Sequence, residues 1–268
     1  MPAQPPKPIE PASQWLAWAD ARGTGWNTSA SAGDIRGGQV NALAGLTRKI
    51  TPDVLVGVFG GYENFNYNSQ LLDGTLKGEG WTAGGYVAWR LSPGLRLDVT
   101  GARSGVDYNG VAGMAAGTFT GARWIASTGL TGDYKAQVFE IEPSARVYGL
   151  WEQEPSYIDS LGTPQAARDF SSGRASAGTK VTYPWMYSAT MTVAPYVGGY
   201  ADYYFSKDDA TAILLPTQFI QGWSARAVSG VSLTFVGGAK LSIGGEAGGL
   251  GSGQFVVWTL RGRASVPF

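Results

Sequence analysis

The sequence has neither cysteine nor histidine among its 268 residues. Without cysteine there can be no disulfide and no thiolate chemistry. Without histidine, Ser-His-Asp and Cys-His nucleophile systems and imidazole metal sites are excluded. Charge is also scarce, at 15% of residues against roughly 25% in ordinary soluble domains. It balances at 20 basic and 20 acidic residues. With no basic stripe to hold a phosphate backbone, nucleic acid is not an expected partner. Long apolar runs are missing too: no stretch approaches the ~18 uninterrupted residues of a membrane-spanning helix. Nothing in the residue set calls for a metal or other cofactor.

Glycine and aromatics are what the chain has in quantity. There are 40 glycines, with 10 Trp, 13 Tyr and 10 Phe, and glycine stands at about twice its usual share. Apolar residues are spread as every second position. Counting back from Phe268 by twos gives Val266, Ala264, Gly262, Leu260, Trp258 and Val256, none of them charged. Ser265, Arg263, Arg261 and Thr259 lie between them. A two-residue period means a strand with one apolar and one polar face, and a membrane-spanning strand hides its hydrophobicity in this way.

From Gln14 onward the chain reads as twelve such segments. They run Trp15–Trp26, Arg36–Lys49, Val54–Asn68, Glu79–Leu91, Leu95–Tyr108, Phe119–Leu130, Val138–Trp151, Ser172–Tyr183, Ala189–Phe205, Gln218–Phe235, Ala239–Gly248 and Gln254–Phe268. Thr51-Pro52-Asp53, Ser92-Pro93-Gly94 and a point near Gly132-Asp133 read as short turns, and Gly237-Gly238 as a two-residue hairpin turn. The longest loop covers about 153–170. Short and long connections alternate, as in outer-membrane barrels. The expected fold is all-β: one membrane-spanning, antiparallel, up-and-down barrel of twelve strands over 14–268. Residues 1–13, with Pro2, Pro5, Pro6, Pro8 and Pro11, read as a Pro-rich linker. That stretch has no secretory h-region, so the chain is expected to be the C-terminal piece of a longer exported precursor.

Magnitudes favour a membrane over a soluble sandwich. Trp81 and Trp89 share a face eight residues apart, which is a rise of about 20 Å on a strand tilted ~40°. Trp258 and Phe268 are ten apart, or about 25 Å, close to the ~25 Å apolar band of such barrels. Phe139 with Trp151, and Trp223 with Phe235, form two further same-face pairs. These residues are the candidate aromatic girdles. The opposite parity is the candidate lumen, where Glu140, Glu142 and Arg146 share a face with Ser144 and Tyr148. Arg90, Arg96 and Asp98 fall on the same side. Charges of both signs there can pair across a wet interior. Asp208-Asp209 is a conceivable calcium pair and reads more simply as an acidic loop.

Several fragments carry a family resemblance. Phe139-Glu140-Ile141-Glu142-Pro143-Ser144-Ala145-Arg146-Val147 resembles a strand with a central Glu-Pro in the translocator domain of classical autotransporters, the type V secretion proteins. Gly173–Gly178, Val193–Tyr200 and Ser224–Leu233 resemble strands that follow it, and Phe268 resembles the terminal aromatic. The resemblance covers about residues 14–268. It implies a monomeric barrel in the bacterial outer membrane, among lipid and lipopolysaccharide, with no enzyme chemistry of its own. It also implies insertion by the barrel assembly machinery, which would read Phe268, Val266, Ala264 and Leu260, and export of an N-terminal passenger. In the family a helix before the first strand commonly threads the pore. Pro5-Pro6-Lys7-Pro8 cannot be helix interior, so that helix lies upstream or the pore is filled otherwise. Self-cleavage of a passenger would fall to Glu140 and Glu142, which read more simply as electrostatic lining. The alternative is a stand-alone small barrel acting as pore, adhesin or anchor.

Overall fold

The computed structural model describes residues 13–29, 33–71, 73–208 and 220–268. Residues 1–12 of the Pro-rich linker, and Asp209 of the acidic pair, lie outside the described residues.

Sixteen strands form among the described residues, and no helix. The first six are β1 (Trp15–Thr28), β2 (Ile35–Lys49), β3 (Val54–Ser69), β4 (Gly74–Ser92), β5 (Leu95–Ala112) and β6 (Ala115–Gly132). Then come β7 (Tyr134–Ala136), β8 (Phe139–Glu154), β9 (Tyr157–Ile158), β10 (Pro164–Gln165), β11 (Arg168–Thr182) and β12 (Trp185–Ser188). The last four are β13 (Met191–Asp208), β14 (Gly222–Phe235), β15 (Lys240–Leu250) and β16 (Phe255–Pro267).

Twelve of these are the wall. Each pairs antiparallel with its neighbours, β8 pairs with β11, and β16 returns to pair with β1 from Leu16↔Pro267 to Thr28↔Phe255. The sheet is a closed up-and-down barrel, so the first and last strands of the wall pair with each other instead of standing as open edges. At the seam, the Phe268 N–H donates to the Trp15 carbonyl at 3.0 Å and the Ser13 hydroxyl donates to the Phe268 carbonyl. The last residue is therefore held by the first strand.

The short elements show where the twelve-segment reading was too plain. β6 does not end in a tight turn near Gly132-Asp133; it resumes after Asp133 as β7, which pairs with β8. Likewise β11 resumes as β12 along β13. On the opposite end, β5 and β6 run on to Ala112 and from Ala115, so the expected Gly- and Ala-rich loop shrinks to Gly113-Met114. β4, at 19 residues, rises about 48 Å at a tilt of ~40°. β15, at 11 residues, rises about 28 Å. Half of the wall therefore stands well above a ~25 Å apolar band, a height that alternation alone does not reveal. The Gly237-Gly238 connection is also wider than a two-residue turn. Both glycines take positive φ, and the Phe235 N–H closes the turn on the Ala239 carbonyl at 2.9 Å.

The 155–167 connection is folded onto the wall. β9 and β10 form a small hairpin around Asp159. The Asp159 carboxylate accepts from the Leu161 and Thr163 amides and the Gln165 side chain, each at 2.9 Å. Tyr157 stacks on Phe119 with ring centres 4.8 Å apart, and the Ser160 amide donates to the Ala116 carbonyl at 2.7 Å.

Inside, small residues make room for large ones. A side chain at Gly230 would meet the Tyr196 hydroxyl at 2.5 Å, and one at Gly244 would meet the same oxygen closer still. Gly230→Leu is therefore expected to destabilise the barrel by about 2 kcal/mol through overpacking, read as a lower urea midpoint for loss of the compact electrophoretic form. The hydrogen bonds to Asp159, chiefly from the Thr163 amide, hold its carboxyl below the usual range. A depressed folded value means the stabilisation is present above the unfolded value of about 3.9 and is lost as pH falls through the folded one. Pepsin cleavage of the 155–167 loop should accordingly switch on as pH drops below about 3.9, whereas Asp159→Ala should be cleaved at every acidic pH tested.

Candidate functional site

The barrel has two working surfaces, set by strand parity. On the outer wall stand Trp81, Trp89, Phe139, Trp151, Trp223, Phe235 and Trp258, from 39% exposed at Phe235 to 70% at Trp223. Leu260, Ala264 and Val266 on β16, and Phe268 directly after it, share that wall. Some indoles lie against glycines on the next strand. Trp258 pairs with Gly25, and Trp81 with Gly105, where a Cβ would meet the indole at 2.9 Å. Above Tyr62, Trp81 and Trp124 the outer wall turns polar: Asn64, Asn66 and Asn68 on β3, Lys77 and Glu79 on β4, Asp107 and Asn109 on β5. The Tyr62 hydroxyl donates to Glu79 at 2.6 Å across this boundary, and the Arg103 guanidinium lies 5.1 Å from the centre of the Trp124 ring.

The inner face carries charge in tiers. Nearest the short turns, Arg146 pairs with Asp98 at 2.6 Å and Lys180 pairs with Glu142. Midway up, Arg226 is shared between Asp202 at 2.9 Å and Glu246 at 3.1 Å, and the Ser176 hydroxyl donates to Asp202 at 2.5 Å. Arg261 pairs with Asp20 at 2.6 Å. Higher still, Arg123 bridges Glu63 at 2.6 Å and Glu152, while the Tyr108 hydroxyl donates to Glu152. Asp202 and Glu152 are wholly buried, and buried carboxylates persist where paired guanidinium and hydroxyl donors meet them.

Above these tiers the lumen fills with aromatic and aliphatic side chains. Ile35, Phe65, Tyr67, Leu76, Val106, Tyr108 and Phe170 form one buried cluster. Phe170 belongs to β11, which β8 and β6 separate from β5 in the sheet, and Leu150 and Phe119 from those two strands pack against the same cluster. Tyr204, Ile220, Phe255 and Val257 form a second cluster, and Trp26 packs against both.

The family model described as "Autotransporter beta-domain" matches residues 15–253. The chain belongs to that family. Solved structures carry the same fold at low identity. The β domain of the Bordetella autotransporter BrkA has a TM-score of 0.81 at 16% identity, covering 95% of this chain and 100% of its own. The translocator domain of the autotransporter NalP from Neisseria meningitidis has 0.76 at 11%, covering 95% and 89%. The transport unit of AIDA-I from Escherichia coli has 0.64 at 11%, covering 99% and 93%. Among curated protein sequences the chain matches none.

Within this β-domain the charges singled out from sequence divide. Asp98, Arg146 and Glu142 meet partners in the interior, as above, and Glu140 is half-buried on the same face. Arg90 and Arg96 stand opposite each other at the turn end of β4 and β5, and Arg90 reaches Asp53 in the neighbouring turn at 3.8 Å. Glu142 is tied to Lys180, while Glu140 stands one inward position nearer the turn. The buried hubs Asp202, Glu152, Arg123 and Arg226 were not singled out from sequence. Their signal was present: each occupies the parity opposite an outward Tyr or Trp on its own strand. Asp208 closes β13 beside the undescribed Asp209, and no cluster fit to hold a metal occurs among the described residues. Glu152→Leu should strand Tyr108 and half of the Arg123 guanidinium, lowering unfolding free energy by about 3 kcal/mol in urea titration of the folded electrophoretic form.

Proposed function

We propose that this β-domain sits in the bacterial outer membrane, anchors an N-terminal passenger and helps to export it. The observation that carries the reading is the family match over residues 15–253, on a closed barrel whose outer wall is apolar between aromatic edges. Such a wall suits the ~25 Å hydrocarbon band and its interfaces. Residues 14–268 form the barrel in this reading, and 1–13 a linker to the passenger. Trp81, Trp151, Trp223 and Trp258 serve as the girdle at the outer interface, where lipopolysaccharide is met. Trp89, Phe139, Phe235 and Phe268 serve at the periplasmic one. Phe268, Val266, Ala264 and Leu260 present the insertion signal to the barrel assembly machinery, and Arg90, Arg96, Asp98, Glu140, Glu142 and Arg146 line the interior electrostatically. No step of this role requires bond chemistry, so no enzyme activity is assigned, and in this reading the barrel acts as a monomer.

The packing of Trp26 and Phe170 inside the barrel favours a second reading, a static anchor with no conduit. The two separate in one experiment. A reporter polypeptide fused ahead of Met1, behind a signal peptide, should become protease-accessible on intact cells if the barrel exports. It should remain in the periplasm if the barrel only anchors. Deleting Phe268 is expected to lower outer-membrane levels of the barrel severalfold. Unchanged levels would remove Phe268 from the insertion signal.

A further inference from the structure

We propose that Arg22, Arg261 and Arg263 form an oxyanion site on the inner face of the β1–β16 seam. Arg22 and Arg261 stand directly opposite each other in the antiparallel register, and Arg263 stands opposite Asp20. Directly opposed like charges destabilise a strand pair, and one carboxylate serves the three guanidiniums here. Asp20 is taken by Arg261, through Nη2 at 2.6 Å and Nε at 2.8 Å. Arg263 instead lies over the Trp18 ring at 5.3 Å. Arg22 makes no ion pair among the described residues.

Flanking strands do not supply the missing charge. On β2, Asn41 stands opposite Arg22 and Leu43 opposite Asp20. On β15, Gly244 stands opposite Arg261 and Ser242 opposite Arg263. The remaining carboxylates nearby are committed: Glu246 and Asp202 to Arg226, and Asp98 to Arg146. The three arginines open on a cavity of about 750 Å³ whose other walls bring Arg146, Arg174 and Arg226. Glu246 is the acidic residue lining it.

The guanidinium is a planar fork that matches carboxylate or phosphate oxygens two at a time. One oxyanion set between Arg22 and Arg263 would offset the opposed charge and give Arg22 its partner. A free anion and an acidic side chain of a polypeptide within the barrel offer the same chemistry. The site follows from seam register and charge, so it stands whether or not the barrel exports a passenger.

The test uses the 268-residue chain folded in detergent micelles, with thermal loss of the compact electrophoretic form as readout. Inorganic phosphate is compared with chloride at equal ionic strength, and a soluble hexaglutamate peptide forms a parallel arm. Phosphate is expected to raise the unfolding temperature beyond chloride. In Arg22→Gln the phosphate concentration for half-maximal effect should rise about tenfold, the loss of one charge-assisted contact, and Arg263→Gln should behave likewise. Without phosphate, Arg22→Gln should fold at least as well as the parent, because an opposed charge is gone. Phosphate acting no better than chloride, an undiminished response in both variants, or a destabilised Arg22→Gln would each overturn the site. Stabilisation by hexaglutamate at lower concentration than phosphate identifies a polypeptide carboxylate as the natural source; response to phosphate alone identifies a free anion.

Discussion

Every feature of this barrel hangs on the strand-to-strand backbone hydrogen bonding that closes its wall. In hydrocarbon an unpaired N–H or C=O costs several kcal/mol, and a sheet avoids that cost only by closing. Here closure is the pairing of β1 with β16 along their full common length. Once it forms, the parity of every residue is fixed relative to one axis. Outward and inward then cease to be local choices: slipping one strand by a residue would put Arg261 on the outer wall and Trp258 into the interior. The seating of Phe268 against Trp15 and Ser13 belongs to the same constraint, because the seam is where register is finally set.

A twelve-stranded circle leaves a narrow interior, and its contents follow from the lack of room. Tyr196 is accommodated because Gly230 and Gly244 have no side chains, and Phe59 lies across Gly84 in the same way. Charged groups are tolerated where they neutralise each other, as Arg226 does with Asp202 and Glu246. The lumen is thus a layered polar core within a wall that is greasy outside, the inverse of a soluble domain. The β1–β16 seam departs from this balance, since Arg22 and Arg263 bring charge with no carboxylate of their own.

Much of this was legible from a period of two. The alternation in residues 256–268 placed Trp258, Leu260, Val266 and Phe268 on one face, and in the fold that face is outside. The parity reading of β8 likewise separated Phe139, Val147 and Trp151 from Glu142 and Arg146. What parity could not show was height. Phe65, Tyr67 and Tyr108 alternate like membrane strand residues, yet they point inward on strands that overrun the apolar band. Partner identity was equally hidden. The pairing of Arg123 with Glu63, 60 positions away, depends on shear and tilt across four strands, and no local spacing encodes either. The breaks that create β7 and β12 rest on the backbone at Asp133 and at 183–184, where pairing resumes after a brief lapse.

The hydrophobic clusters around Trp26 and Phe170 fill the lumen at the end away from the short turns, above the paired charges and the seam cavity. Strand number and shear fix a barrel's circumference, so the wall cannot widen there while all twelve strands stay paired. A polypeptide and this aromatic packing therefore compete for one volume, and occupancy of the upper lumen by either is incompatible with the other. With the clusters assembled as they stand, the space that a threading chain would need at that end is already taken by side chains of the wall itself.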